Sequence, residues 1–598
     1  MPDPNMNQGN NLRSSQRRKR KNQSFLQGSI VLLAAMMIVK LIGALFKIPM
    51  TSLLGEVGMG YFNTAYTFFV IFQTIAIAGF PAAISRLVAA SVANERYRDI
   101  KRIYKVSLKV FLVTGSVGTL AMFIGSFIYA GFLGDSKVLP ALLIMTPSVF
   151  FCCMMSVNRG YFQGLRNMTP TAMSQVIEAL CKLVLGLWFA NMVINFGLNQ
   201  YAESGVVFGQ VVTNAEEAKN AALPYAAAAA ICAVTLGTVA GTVFLMFRRN
   251  IWGDGITKAD LAYSPKPRSD RYILRSLLVI AIPVALAALA NNLSTLVDTV
   301  TIQGSLKWLV NNRPDQMNAI YGSLISSNED MVMFIWGAYS AIAITMFNLI
   351  PTLTSSFGTS ALPTVTSSWA VNNKKGTKKS IESILRITAL VAIPAGLGLA
   401  ALAGPILKLI FANNPAGVQI ATPLVVMFGI SALIVAMTGP THAILQAVGK
   451  ASFIVKALLI TAVIKLVFNL VLVMIPSINI NGAPIGTFVS YLFLIVADLM
   501  CLIKTTKIRF NFKAVFVKPL IAGILCAVTA FIVNLGLSAV LNDGNMSNLI
   551  CVAVSIICAV IVYVIAVLML RAITKDEVLM LPKGKKLAAI LEKKHWIG

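Results

Sequence analysis

Acidic residues are scarce in this chain, with 22 Asp and Glu against 50 Lys and Arg in 598 residues, and charged residues of both signs make up only 12%. A water-soluble domain typically carries about 25% charged residues, so a soluble globular class is excluded. Histidine occurs only at His442 and His595. That leaves no imidazole cluster for a metal, and His442 reads as a residue hydrogen-bonded to a neighbour rather than a catalytic one. No Gly-x-x-x-x-Gly-Lys-Ser/Thr phosphate loop and no nucleophile–base pairing is present, so the expected class is not an enzyme. Cargo movement would have to draw on gradients, membrane potential or substrate supply. The cysteines (Cys152, Cys153, Cys181, Cys232, Cys501, Cys526, Cys551 and Cys558) lie inside apolar segments. They show neither a metal spacing nor a disulfide framework, and read as small packing residues.

What is abundant is apolar surface, at 57% of residues. The formal charge of +28 would suit a nucleic-acid binder, but the basic residues sit in short clusters between long apolar runs. That is the pattern of loops on one face of a membrane protein, and nucleic acid is excluded as a partner. Residues 1–23 form a polar, basic segment expected to be a disordered tail, and 572–598 form a second basic tail. The first apolar run, Ser24 to Leu54, is too long for a signal-peptide core and lacks a clear cleavage site, so the first helix is expected to stay.

A helix needs roughly 20 apolar residues to cross a bilayer core. Runs of that kind predict spans over 27–54, 62–92, 104–132, 139–163, 169–197, 221–247 and 273–301. Further spans are predicted over 331–359, 380–411, 420–447, 452–475, 483–505, 515–541 and 546–571. The expected fold is all-α and integral to the membrane, with about fourteen transmembrane helices. Of the 50 Lys and Arg, 36 fall at the termini and in loops on one side, ten fall within spans, and only Lys137, Lys219, Lys307 and Arg313 lie on the other side. Positive charge concentrates on the cytoplasmic face, which predicts both termini there.

The chain also repeats itself. At an offset of 283, Gln163 aligns with Gln446, Lys182 with Lys465, Leu183 with Leu466 and Val184 with Val467. At an offset of 282, Pro81 meets Pro363 and Ser85 meets Ser367. A duplicated six-helix unit follows, with parallel halves related by an axis along the membrane normal, a plan suited to lobes that rock about a central cavity. The expected units are a first lobe at 24–247, a cytoplasmic linker at 248–272, a second lobe at 273–505 and two extra helices within 506–571.

Ionisable residues at membrane depth are costly unless they face a cavity or a partner. The basic ones are Lys40, Lys47, Arg86, Lys109, Arg159, Lys182, Arg386, Lys408, Lys456 and Lys465, and the clear acids are Glu178, Asp298 and Asp498. This net-positive interior suits an anion carrier. Lys109, Lys408 and Lys456 lie near span ends, where long side chains snorkel to the interface. Arg386 follows Glu382, and Lys182 follows Glu178, by four residues, the spacing of a helical ion pair. Glu178 and Lys182 are therefore either a structural pair or a cavity element. Lys40 and Lys47, seven residues apart in an apolar run, share one helix face without a local acid. Arg86 follows Gly79 and Pro81, which predict a kink. These three are assigned to a cavity, and Arg159 either to the cavity or to the interface. Asp298 has three readings: pairing with a cavity cation, coordinating a coupling ion, or satisfying a neighbouring helix. Asn291 and Asn292 nearby favour a polar face. Ammonium and guanidinium groups suit a pyrophosphate.

The segments KLIGALFKIPMTSLLGEVGMGYFNTAY (40–66), AGFPAAISRLVAA (78–90), RGYFQGLRNMTPTAMSQVIE (159–178) and LVDTVTI (296–302) carry a resemblance. From about Gly28 to Arg571, the chain resembles the multidrug/oligosaccharidyl-lipid/polysaccharide exporter superfamily, in the branch of stage V sporulation protein B and MurJ-type lipid II flippases. The resemblance implies a central cavity for a polyprenyl pyrophosphate-linked saccharide, alternating access, and residence in the bacterial cytoplasmic membrane. It implies no cofactor, and coupling to sodium, protons or membrane potential. Cavity-lining basic residues carry over to Lys40, Lys47 and Arg86. The flippases' first-helix motif pairs an arginine with an acid, whereas FKIP here supplies only Lys47. A sodium site of some relatives would draw on Asp298, Asn469 and Asp498, with Lys465 beside Asn469 counting against a cation there. The leading reading is a flippase with lipid II ahead of other lipid-linked saccharides, in contact with membrane lipid and envelope-synthesis enzymes. The alternatives are a cation-coupled multidrug exporter, which predicts acids in the first-half cavity, and a non-transporting scaffold for envelope assembly.

Overall fold

A computed structural model describes residues 25–574 except 78, 328, 509, 542 and 543. The 1–23 tail and all but the first residues of the 572–598 tail lie outside these, as do the side chains of Asn291, Pro363 and Ser367. The protein is almost entirely helical; among the described residues the one sheet is a minimal hairpin, Val206–Val207 paired with Gln210–Val211.

Helix α1 (Phe25–Ile77) is 53 residues long, which at 1.5 Å per residue would be about 80 Å as a straight rod, far beyond the ~30 Å bilayer core. It folds back at Gly55, whose φ of 64° and ψ of −172° form a backbone state open essentially to glycine alone. The two limbs are the first two crossings, with the turn between them. The predicted break near Gly79 is present: α1 ends at Ile77 and α2 (Phe80–Ala93) starts with Pro81 in its first turn, where the missing N–H costs nothing. The first lobe continues through α3 (Tyr97–Leu133), α4 (Leu139–Met145), α5 (Pro147–Gly164), α6 (Thr169–Ser204) and α7 (Ala215–Trp252).

A linker containing α8 (Lys258–Tyr263) leads to α9 (Asp270–Asn312) and α10 (Pro314–Tyr321). The second lobe follows with α11 (Met331–Gly337), a π-helical turn at Ala338–Ala343 and α12 (Ile344–Ala370). It is completed by α13 (Lys374–Ala401), α14 (Ala403–Ile410), α15 (Pro415–Ala447), α16 (Ala451–Val473) and α17 (Gly482–Thr506). Two further helices, α18 (Lys518–Val540) and α19 (Asn545–Met569), expose Ile524, Leu525, Phe531, Ile532, Ile557 and Ile561, a surface that only lipid can solvate. Twelve described segments are long and apolar enough to cross a membrane. The first of them, Ala34–Ala93, contains both limbs of α1, and the 43-residue α9 lies outside the twelve.

Packing shows how the lobes meet. On the side of the Gly55 turn one apolar core runs across both lobes, from Phe46, Met50 and Tyr61 to Trp336, Tyr339 and Phe428. On the opposite side the cores are separate. The second lobe packs Ile381, Leu385, Leu445, Leu494 and Leu502, while the first packs Ile84, Val88, Tyr104 and Tyr161 together with Ile273 and Leu277 at the start of α9. The lobes are thus closed together at the Gly55 end and divided at the linker end.

The linker is pinned to the first lobe. Lys101 and the Tyr161 hydroxyl both donate to Asp254, Arg102 pairs with Asp270, and Arg98 donates to the Leu261 and Ala262 carbonyls. Burial works to raise the Asp254 carboxyl, but Lys101, Tyr161 and the Ile256 N–H outweigh it and hold the group below its ordinary value of 3.8. Buried Asp99 accepts the Arg268 N–H at 2.8 Å and the Arg96 guanidinium.

Candidate functional site

Two of the three acids singled out at membrane depth are hydrogen-bonded to a basic partner, and the third lies beside a histidine. Glu178 of α6 takes Arg159 of α5 at 3.1 Å, and the same guanidinium donates through Nε to Ser174 at 3.0 Å. The expected Glu178–Lys182 pair along α6 is therefore corrected: Arg159 competes successfully because its planar fork reaches the carboxylate and a hydroxyl at once. Arg159 is buried in the first lobe, not snorkelling to an interface. Asp298 of α9 receives Lys465 of α16 at 2.6 Å on one oxygen and the Asn469 amide at 2.9 Å on the other, while Asn469 also donates to Thr301 at 3.0 Å. Of the three readings for Asp298, the geometry selects pairing with a cation inside the second lobe. Asp498 of α17 is fully buried; His442 Nε2 of α15 comes within 2.9 Å of one oxygen, but no hydrogen bond joins them and neither carboxylate oxygen has a donor.

Among the described residues at membrane depth in the first lobe, Lys40, Lys47, Arg86 and Lys182 form no ion pair, and neither does Lys109 at its span end. Ala35, Ile42, Phe46, Met50 and Leu54 are buried along one stripe of the first α1 limb. At 100° per residue, Lys40 and Lys47 lie together on the flank of that stripe, about 10 Å apart along the axis. Lys47 is half-buried, and its Nζ donates to the Ser340 carbonyl at 3.3 Å across the lobe boundary. Ser340 belongs to the π-helical turn, a feature that often marks functional sites, and its hydroxyl also receives Asn63 at 3.0 Å. Lys40 is exposed. Arg86 is exposed on the side of α2 opposite Ala83, Ile84 and Val88. Lys182 lies over the rings of Phe46 at 4.8 Å, Tyr66 at 4.7 Å and Phe62 at 5.7 Å, close enough to Lys47 for the two ammonium groups to repel each other.

The duplicated lysines thus have opposite fates. Lys182 and its counterpart Lys465 occupy matching helices, but only Lys465 closes an ion pair, since the acid near Lys182, Glu178, is taken by Arg159; Lys465 also lies 5.8 Å from the Tyr491 ring. Sequence reasoning missed the aromatic box around Lys182. The Phe62/Tyr66 spacing of four residues hinted at a common face, but nothing local brings α6 to α1.

Asp298 and Asn469 do not fit an alkali cation: the Asp298 carboxylate is engaged by an ammonium and by the Asn469 amide N–H. Lys465 supplies the positive charge that such a site would otherwise draw from solution. The described residues contain no cluster of three or more His, Cys, Asp or Glu.

A two-lobed, multi-pass membrane helix bundle with Lys47 reaching across the lobe boundary is a transporter architecture. Residues 25–215 match the family described as "Polysaccharide biosynthesis protein", and residues 337–471 match "MatE". Stage V sporulation protein B of Bacillus subtilis (strain 168) is 24% identical over 571 residues, covering 94% of this chain and 98% of its own. Lipid II flippase MurJ of the same organism is 23% identical over 550 residues, covering 89% of this chain and 93% of its own. A solved structure described as "Lipid II flippase MurJ, inward closed conformation" superposes with a TM-score of 0.56 at 12% identity, over 90% of this chain and 98% of that one. The chain belongs to the multidrug/oligosaccharidyl-lipid/polysaccharide exporter superfamily, in the branch that holds stage V sporulation protein B and MurJ.

Proposed function

We propose that the protein is a flippase for an anionic lipid-linked oligosaccharide, with the peptidoglycan precursor lipid II ahead of other polyprenyl pyrophosphate-linked saccharides. It would reside in the bacterial cytoplasmic membrane with both termini in the cytoplasm, the Gly55 turn outside and the linker inside. One observation carries the reading. Glu178 and Asp298 are held by Arg159 and Lys465, so Lys40, Lys47 and Arg86 have no carboxylate of their own and Lys182 has only Glu178, already taken by Arg159, to offset its charge. Two ammonium groups in mutual repulsion beside a lobe boundary are relieved by a bound anion, and a pyrophosphate offers both charge and acceptor oxygens.

The closed outer core and divided inner cores describe a state that loads from the cytoplasmic side. The headgroup would settle against Lys40 and Lys47, with Arg86 adding bidentate contacts. Parting of the lobes on the outer side would break the Lys47–Ser340 contact and carry the charge outward, the alternation expected of parallel lobes around a fixed site. The MatE match over 337–471 keeps cation-coupled drug export as a second reading. It needs a free acid in the first-lobe cavity, where Glu178 is committed to Arg159; the other buried acid of that lobe, Glu56, lies at the Gly55 turn.

The test is complementation of cells depleted of their own lipid II flippase, with wild type beside Lys40→Ala, Lys47→Ala and Arg86→Ala at matched membrane expression. Rescue by wild type and loss in the variants is the expected result. Rescue by every variant rejects the site, and no rescue by wild type rejects lipid II as cargo.

A further inference from the structure

Glu56 is a buried acid placed where the two lobes close. It directly follows the Gly55 turn, between the first two crossings, and is 5% exposed. Its Oε2 accepts the Asn414 amide at 3.2 Å, and Asn414 also reaches the Thr51 carbonyl at 3.4 Å. Its Oε1 finds no donor. Second-lobe backbone presses on it from two sides: a Cβ at Gly337 would sit 1.8 Å from the Glu56 carbonyl oxygen, and a Cβ at Gly417 would sit 1.9 Å from Oε1. The charged groups around it are Glu329, just ahead of α11, which repels it, and Lys219 on α7, which attracts it. Neither α11 nor the opening turns of α15 carry a charged side chain.

We propose that Glu56 is a proton-binding site that controls the outer closure: the protonated carboxyl seats between the lobes and locks them, and the carboxylate releases them to water. The inference rests on the two-lobed alternating reading above. The physical reason is the orphaned oxygen. A buried carboxylate must satisfy both oxygens or bear the full desolvation penalty, and Asn414 serves only one. A carboxylic acid carries one charge less and asks less of its surroundings. Parting the lobes would hydrate both oxygens and restore the ordinary acidity. Burial outweighs the Asn414 bond, the residue's own backbone N–H and Lys219, and with Glu329 adding to it pushes the group from 4.5 up to about 7 in the closed state.

The sign follows directly. The closed state binds the proton more tightly than the open one, so falling pH favours closure and rising pH favours opening. Between about pH 4.5 and 7 the open-to-closed ratio changes by up to about tenfold per pH unit. An acidic exterior would thereby hold the transporter in its cytoplasm-facing state, ready to load.

The experiment places spin labels on the full chain in lipid nanodiscs, at Gln210→Cys on the first-lobe hairpin and Ala412→Cys on the second-lobe corner, with native cysteines replaced. Pulsed distance measurements then give the closed and open populations from pH 8 to pH 5. Wild type is expected to move towards the short distance as pH falls, and Glu56→Gln, which retains an acceptor for Asn414, to stay short throughout. A flat wild-type profile overturns the proposal, as does an equal pH response in Glu56→Gln. No cargo is present in this measurement, so a failed complementation with an intact pH response rejects the flippase reading and leaves the Glu56 site standing.

Discussion

Replacing Gly337 by alanine tests the closure at the Gly55 turn through geometry rather than charge. The added methyl would lie 1.8 Å from the Glu56 carbonyl oxygen, 2.5 Å from its carbon and 3.0 Å from its Cα. These are backbone atoms at a turn, so they cannot swing aside as a side-chain tip would. Reaching even a tight contact requires the α11 segment and the Gly55 turn to separate by over 1 Å. Overpacking of this kind costs about 1–3 kcal/mol, and the cheapest relief is to part the lobes. A cost near 2 kcal/mol changes the open-to-closed ratio by roughly 30-fold, since each 1.4 kcal/mol is tenfold. The same spin-label pair at Gln210 and Ala412, at fixed pH, reads that ratio directly. Gly43→Ala is the control, because nothing lies within 4 Å of its Cβ position; it should leave the distances unchanged. An unaltered short distance in a folded Gly337→Ala protein would refute the claim that this contact holds the lobes shut.

Other outcomes follow from the buried pairs and the linker. Lys465→Met strands the Asp298 carboxylate and should cost about 3–5 kcal/mol; adding Asp298→Leu should recover much of it, measured as thermal unfolding in detergent, and equal loss in single and double variants would contradict the pairing. Because Lys465 supplies the cation beside Asp298, replacing sodium by choline should leave transport by reconstituted protein unchanged. Asp254 is held below its ordinary value by the bonds that dock the linker, so docking is complete above pH 3.8 and should weaken as pH falls through the depressed value. Hydrogen exchange of residues 253–270 would show this as faster exchange in acid, with Lys101→Met producing the same loosening at neutral pH.

The membrane class, the crossings and the break at Gly79–Pro81 were legible because each is written in local chemistry. Apolar run length, glycine and proline leave signatures that need no distant partner. Lys40 and Lys47 could be grouped for the same reason, since helical periodicity alone puts them on one flank. Partnership was not legible. Glu178 had Lys182 four residues away and chose Arg159, because the α5–α6 turn brings a guanidinium and Ser174 to the same carboxylate. His442 and Asp498 are 56 residues apart in the chain, and nothing in either helix announces the other. Nothing in the sequence around Glu56 marks it as buried, and only the arrival of α11 and α15 buries it. Sequence by itself therefore determined the solvent, the helices and the inventory of charge, all properties of short stretches. Tertiary structure decided which charges cancel and which remain free, because at membrane depth an ionic partner is fixed by which helices pack together, not by their spacing along the chain.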